Sequence, residues 1–298
     1  VSKPIPLIKL GPEENIYPAN QACQGCAGSM VSRIVSKVLG KNAVRAEVAC
    51  CGPAFGNIRN PAIYAEVFEG AGALMTGISR GLKSIGREEV VTVGIIGDGG
   101  TVDIGFQGLS AAAERNENIL WIVYDNEAYM NTGGQRSSAT TPYAITTTTP
   151  VGEFSRGKKE RKKNVPLLIA MHGAPYVTTA SVAFPEDLIG KLEHAKGLKG
   201  FRFVHISAPC PTGWNFDPKD TIKLGRAMVQ SGLWPLYEVI NGSTIRLTYK
   251  PKELKPVKEV LKMQGRFRHV TDVEADDIQQ QVTTFWERLI AKDGGPFF

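Results

Sequence analysis

The sequence predicts an α/β protein in which a mostly parallel sheet is covered by helices on both faces. Two apolar runs, residues 90–96 and 119–124, are continuous rather than alternating, as expected of strands buried on both sides. Segments of helical period separate such runs along the chain, the alternation that builds parallel sheets. Clusters of Gly, Asp, Asn, Cys and Pro follow several of the runs, where a strand gives way to a turn.

Taken in order, residues 1–22 form an extended lead-in with Pro at 4, 6, 12 and 18. Residues 27–40 carry a stripe of Met30, Ile34 and Val38 beside Val31 and Val35, which predicts a helix stopped by Gly40. Residues 44–48 read as a short strand that ends at Cys50-Cys51. Residues 62–86, rich in Ala and Gly, read as one long, closely packed helix. Residues 90–96 are a buried strand ending at Gly97-Asp98-Gly99-Gly100. A helix over 104–116 leads to the strand 119–124, which runs into Asp125-Asn126-Glu127. Residues 132–164, rich in Thr, Gly, Ser and Lys, form a long loop of the kind that carries function. Residues 167–171 and 176–180 read as strand pieces around a His-Gly turn. A helix over 186–196 precedes a strand over 202–207, which ends at Ala208-Pro209-Cys210-Pro211. A further helix spans 219–231, and a mixed tail closes with a helix over about 275–291. The expectation is a single domain over 1–298, with a Cys-bearing lead-in (1–26) and a C-terminal extension from about 217 to 298.

The net charge of +6 is spread along the chain. The densest basic run, 156–163, holds six basic residues and one Glu. It reads first as a solvated face and second as a docking patch for an acidic partner. It lacks the interleaved aromatics of a nucleic-acid surface, so no nucleic-acid partner is expected. No apolar run approaches the roughly 20 residues that span a bilayer. The start, Val1-Ser2-Lys3-Pro4, has no signal-peptide pattern, so the expected location is the cytoplasm.

In a parallel sheet, ligands gather beyond the carboxyl ends of the strands. Four marked sequences stand there: Cys50-Cys51, Gly97-Asp98-Gly99, Asp125-Asn126 and Cys210. Asp98 offers a hard oxygen ligand to a divalent ion, and its glycine neighbours let the backbone approach phosphate groups. Asn126 lies 28 residues later, one strand–helix–strand step on, and offers an amide oxygen. The Ala128 carbonyl is the third candidate ligand. This spacing of Gly-Asp-Gly and Asn resembles the thiamine diphosphate signature.

The five Cys (23, 26, 50, 51 and 210) suit metal or catalytic roles better than disulfides in a chain without a secretion signal. Cys23-Gln24-Gly25-Cys26 alone is compatible with zinc, a redox dithiol or half of an iron–sulfur site. The four His (172, 194, 205 and 269) lack the spacing of a second zinc pair. Cys51 and Cys210, each after a strand, can complete a four-thiolate set. Adjacent Cys50 and Cys51 face opposite ways in an extended segment, so one of the two is the ligand and the other a small buried side chain.

The motifs Cys23–Cys26, Gly97–Gly99, 125–133 (Asp-Asn-Glu-Ala-Tyr-Met-Asn-Thr-Gly) and 207–214 (Ser-Ala-Pro-Cys-Pro-Thr-Gly-Trp) follow one another here. Together they resemble the beta subunit of the pyruvate and 2-oxoacid:ferredoxin oxidoreductases. The Thr-rich 146–150, the 176–187 region and Gln264-Gly265-Arg266-Phe267 also look like that family. The resemblance covers nearly the whole chain.

It implies the thiamine-diphosphate-binding fold, in its diphosphate-binding module. Asp98, Asn126 and the Ala128 carbonyl would bind Mg²⁺, and Gly97, Gly99 and Gly100 would lie along the diphosphate. Tyr129, Met130 and Thr132 would belong to the same cofactor segment, and Asn131 would sit by the thiazolium and the substrate as the catalytic residue. Cys23, Cys26, Cys51 and Cys210 would hold a [4Fe–4S] cluster, with Cys51 preferred over Cys50 by the family spacing.

The implied activity is anaerobic, thiamine-dependent oxidative decarboxylation of a small oxoacid, with electrons passed to ferredoxin. An obligate partner subunit would supply the pyrimidine-binding module and its Glu; Glu66, Glu69 and Glu127 are weaker candidates in this chain. One departure stands out: the family's pyruvate enzymes usually show Ala-Thr-Gly-Cys where this chain has Val48-Ala49-Cys50-Cys51. The oxoacid is therefore open between pyruvate, the favoured one, and oxalate or a branched 2-oxoacid. A cluster-free thiamine-dependent decarboxylase is the rival that needs no cysteines.

Overall fold

The computed structural model describes residues 1–55 and 59–297. The strands in chain order are β1 (Ala43–Val48), β2 (Ala62–Ala65), β3 (Val91–Gly97), β4 (Ile119–Asp125), the short β5 (Val151–Gly152) and β6 (Ser155–Arg156), then β7 (Tyr176–Ser181), β8 (Arg202–Ser207), β9 (Tyr237–Ile240) and β10 (Thr244–Leu247). The helices are α1 (Ala27–Leu39), α2 (Ala71–Ser84), α3 (Phe106–Glu114), α4 (Val165–Ala170), α5 (Pro185–Gly197), α6 (Pro211–Trp214), α7 (Thr221–Gln230), α8 (Val257–Lys262) and α9 (Asp272–Lys292). Among the described residues one eight-stranded sheet runs in the order β10-β9-β7-β8-β4-β3-β1-β2, and β5 and β6 form a separate hairpin. All pairs from β7 through β2 are parallel, while β9 and β10 are antiparallel additions.

The central strands are apolar throughout because both faces are covered. In β4, Ile119, Trp121 and Val123 pack with Met75, Leu109 and Ile169 on one side. Leu120, Ile122 and Tyr124 pack with Val31, Val35 and Leu192 on the other. Helices α2, α3 and α4 therefore cover one face, and α1 and α5 the other. The capped α9 closes the tail: Thr271 and Glu274 exchange hydrogen bonds in a capping box.

Three local expectations need correction. The single helix expected over 62–86 is a strand, a 3-10 turn at Phe68–Gly70 and then α2. Residues 62–65 pair with β1 (Arg45 beside Ala62), so the open backbone of β1 overrides the Ala-rich composition. The apolar 167–171 segment is not a strand but lies largely in α4. Asn164 caps it by accepting a hydrogen bond from Leu167 N at 3.3 Å, and Pro166 sits in its first turn. The tail contains β9 and β10, a hairpin on Asn241-Gly242 that extends the main sheet.

Helices α2 and α3 cross at Gly72 and Gly108. A Cβ on Gly72 would lie 2.5 Å from the Gly108 carbonyl carbon and oxygen. Gly72→Ala is expected to destabilise the fold by about 1–2 kcal/mol, because overpacking outweighs the gain in helix propensity. In the same helix a Cβ on Gly77 meets nothing within 4 Å, so Gly77→Ala should stabilise by up to about 1 kcal/mol. Urea denaturation midpoints that move in opposite directions check both signs.

Candidate cofactor site

The four marked sequences hang from four adjacent parallel strands, β8-β4-β3-β1. Gly97 pairs with Tyr124 and Asp125 with Ser207, which sets Asp98 beside residues 125–126 on one rim. Asp98 is fully buried. Its Oδ2 accepts from the Ser137 hydroxyl at 2.5 Å. The amide oxygen of Asn126 faces only acceptors, Asp98 Oδ1 at 3.0 Å and the Ala128 carbonyl at 2.9 Å. The end of the Asn126 amide thus stands between two oxygens; its nitrogen, turned toward them, donates to both, and its oxygen, turned toward them, leaves a cation to fill the gap. Ligands at about 2.1 Å in an octahedron stand about 3.0 Å apart along an edge, so the spacing fits a small divalent cation. Burial pushes the Asp98 carboxyl well above its ordinary range, and the nearby Asp125 adds to it, as expected of a site that lacks its counter-charge.

Glu127 brings Asn126 and Ala128 round to Asp98 by adopting a left-handed backbone, φ +61°. That conformation costs a non-glycine residue about 1–2 kcal/mol. The side chain is buried and fully engaged. It receives Lys162 Nζ at 2.7 Å, Arg266 Nη2 at 2.8 Å and the Thr141 hydroxyl at 2.8 Å. Burial alone would raise its pKa, but Arg266 and Lys162 outweigh it and hold the carboxyl at about 2. Behind Asn126, Asp125 bonds the His205 ring at 2.8 Å and caps the Glu127 N–H at 2.8 Å.

An open cleft lies against these oxygens, lined by Gly97, Gly99, Gly100, Tyr129, Asn131 and Thr132, with Ala49, Cys50 and Cys51 along one wall. Its floor opens into a π-helical turn, Gly99–Asp103, an irregularity that recurs at functional sites. A Cβ on Gly99 would meet the Tyr129 ring at 2.5 Å, and Tyr129 donates its hydroxyl to the Gly99 carbonyl at 2.9 Å. Only glycine leaves that backbone open to a ligand. Asn131 and Thr132 are exposed at the mouth.

The thiols approach the same rim. Burial pushes Cys51 up to about 12, and Cys50, Cys210 and Cys26 push the same way. Burial raises Cys210 to about 11, with Cys26 and Cys23 adding to it. Cys26, Cys50 and Cys51 all pack against the core on the α1 side of the sheet. Cys50 is held by its own turn: its thiol bonds the Val48 carbonyl at 3.1 Å and receives the Gly52 N–H at 3.2 Å. The Cys23–Cys26 turn is tied to the α7 end of the chain, where Thr221 donates to the Gly25 carbonyl at 2.8 Å. Among the described residues, no three of His, Cys, Asp or Glu are gathered closely enough to hold a metal ion as they stand.

Two residues escape the motif reading. Arg266 carries Glu127, and Ser137 carries Asp98. Arg266 was legible as part of Gln264–Phe267, but its contact with Glu127 spans 139 residues and has no local signal. The basic run 156–163 is largely structural. Lys158 is buried on the Thr140 carbonyl at 2.6 Å, Lys162 holds Glu127, and Arg156 pairs with Glu274 at 2.8 Å.

Residues 62–206 match the family described as thiamine pyrophosphate enzyme, C-terminal TPP binding domain. Pyruvate synthase subunit PorB of Methanothermobacter thermautotrophicus is 46% identical over 289 residues, covering 95% of this chain and 99% of that protein. Ketoisovalerate oxidoreductase subunit VorB of Pyrococcus abyssi is 42% identical, covering 93% of each. This chain belongs to the beta subunits of the 2-oxoacid:ferredoxin oxidoreductases. A solved 2-oxoglutarate:ferredoxin oxidoreductase from Magnetococcus marinus shares the fold, with a TM-score of 0.55 and 23% identity over 71% of this chain and 79% of that one.

In this 2-oxoacid:ferredoxin oxidoreductase subunit, the matched span contains Asp98, Asn126 and Ala128, while all five cysteines lie outside it. Cys23 is exposed and the other four are partly buried. Iodoacetamide should therefore label Cys23 at least about tenfold faster than Cys51 or Cys210. Peptide mass spectrometry over a time course reads the order.

Proposed function

We propose that the chain is the cofactor-binding subunit of an enzyme that oxidatively decarboxylates pyruvate and passes the electrons to ferredoxin. The observation that carries this reading is the trio of converging oxygens, Asp98 Oδ1, Asn126 Oδ1 and Ala128 O, beneath a glycine-lined cleft walled by Cys51. When bound, thiamine diphosphate supplies the decarboxylation chemistry, Mg²⁺ neutralises its diphosphate, and a [4Fe–4S] cluster accepts single electrons.

The protein's own work is placement. Asp98, Asn126 and Ala128 hold Mg²⁺, with Ser137 fixing the rotamer of Asp98 through its Oδ2. Gly97, Gly99 and Gly100 let the diphosphate approach the backbone, and Tyr129, Met130 and Thr132 flank it. Asn131, exposed at the mouth, orients the substrate. Cys23, Cys26, Cys51 and Cys210 would hold the cluster.

A partner subunit supplies the pyrimidine-binding module and its Glu. Among the described residues lining the cleft there is no Glu, both carboxylate oxygens of Glu127 are occupied, and Glu66 and Glu69 are exposed.

Two measurements test the reading on the complex purified without oxygen. With thiamine diphosphate and Mg²⁺ present, pyruvate should reduce a low-potential dye in a coenzyme-A-dependent way. Reduction only with 2-oxoisovalerate or oxalate would move the substrate and keep the chemistry. Absence of reduction with any oxoacid, in a preparation containing iron and thiamine, would sink it. Cys51→Ser should lose iron and dye reduction, whereas Cys50→Ser should keep both. Iron analysis and visible absorption distinguish the two, and the reverse pattern would exchange the ligand assignment.

A further inference from the structure

Two loops carry the proposed cofactors: residues 126–130, with the oxygen ligands, and residues 210–214, with Cys210. They are bound to each other through one side chain from the C-terminal part of the chain. Arg266 is 5% exposed. Its Nη2 donates to Glu127 Oε2 at 2.8 Å, inside the first loop. Its guanidinium carbon lies 3.9 Å from the centre of the Trp214 ring, at the end of the second loop. Its Nε donates to Gln264 Oε1 at 2.9 Å, which fixes the plane of the group. Trp214 closes the circuit by donating its indole N–H to the Asn126 carbonyl at 2.8 Å. Nearby, a Cβ on Gly213 would overlap the Met130 thioether, so the loops also touch directly.

We propose that Arg266 is a positioning residue that locks the 126–130 loop to the 210–214 loop and so sets the separation between the thiamine and the cluster. This rests on the proposed function, in which those loops hold the two groups. Arginine is required rather than a generic cation. The site demands two directed N–H bonds and a flat face for the indole at once, and lysine offers a point charge with neither the plane nor the second fixed direction. Lys162 already supplies Glu127 with a charge, at 2.7 Å. Neutralising Glu127 is therefore not the feature that only Arg266 provides; joining Glu127 to Trp214 is.

The consequence is specific. Decarboxylation depends on the 126–130 loop and the cleft, and survives a loosened junction. Electron transfer depends on the relation between the two loops, and does not. The test uses the complex carrying Arg266→Lys, compared with wild type. In a single turnover with pyruvate, CO2 release should change less than about threefold. Bleaching of the cluster's visible absorption should slow by about tenfold or more, the scale at which small misplacements cost rate.

Without thiamine, hydrogen–deuterium exchange in peptides covering 126–134 and 210–216 should rise in the variant, with the α2 and α3 peptides unchanged. Trp214→Leu, which removes the other half of the junction, should reproduce the split. If Arg266→Lys does not assemble, Trp214→Leu carries the test alone, because it leaves the Glu127–Lys162 pair in place.

Equal loss of CO2 release and bleaching, no change in either, or failure of both variants to assemble would each overturn the inference. Wild-type complex that binds thiamine diphosphate but holds no iron would overturn it too, by removing the functional reading beneath it; iron analysis separates that case from the others.

Discussion

The pairing of β3 with β4 is the constraint on which the site depends. Their parallel register puts Gly97 beside Tyr124, and so puts Asp98 within reach of Asn126. Side chains alternate along a strand, so a one-residue slip would turn Asp98 and Asn126 to opposite faces and scatter the oxygen trio. That register is held by burial rather than by the site. Trp121 and Val123 belong to one core and Ile122 and Tyr124 to the other. Because β4 is apolar on both faces, its register is selected by the fit of side chains as large as Trp121 and Tyr124 into their own layers.

Two neighbouring carboxylates on this rim are treated in opposite ways. Glu127 is buried with Arg266 and Lys162 in contact, and its pKa is held at about 2. Asp98 is equally buried, yet among the described residues no basic side chain is in ion-pair contact with it, and its pKa is pushed well up. A buried carboxylate without a counter-charge is costly unless something else supplies the charge. The protein provides lysine and arginine for the carboxylate that shapes the loop and no base for the one that stands beside Asn126. The Asn126 oxygen, turned toward two other oxygens, has the same explanation.

The sequence makes the central sheet legible because its apolar runs are short, continuous and rich in Val and Ile, as strands buried on both faces require. It makes the rim legible because Gly-Asp-Gly, Asp-Asn and Cys-Pro each interrupt such a run. Short or exposed elements were harder to read. Ala62–Ala65 is an exposed edge strand whose composition suits a helix as well, and only its pairing with β1 decides. The α4 segment could have been read correctly from Asn164 and Pro166, which mark a helix start, and the β9–β10 hairpin from Asn241-Gly242. The pairing of Arg266 with Glu127 and the fate of the basic run were out of reach. Both depend on which distant segments meet, and a charge carries no periodicity that reveals its partner.

In the proposed site, thiols from three places share a rim with oxygens from two, and strand order sets the distance they must cover. The oxygen ligands belong to the inner strands β3 and β4, while Cys51 and Cys210 each stand three residues past an outer strand, β1 or β8. Three strand spacings separate those outer ends, about 14 Å at roughly 4.8 Å each. Three residues of extended chain reach about 10 Å. Two such loops bending inward are therefore long enough to close the distance over the top of β3 and β4. Cys23 and Cys26 need no strand at all. They arrive on the lead-in at the start of α1, which lies on the face where Cys26 and Cys51 both pack. In the proposed arrangement, short loops at the flanking strands and one turn in front of a helix are all that a second group beside the inner strands requires.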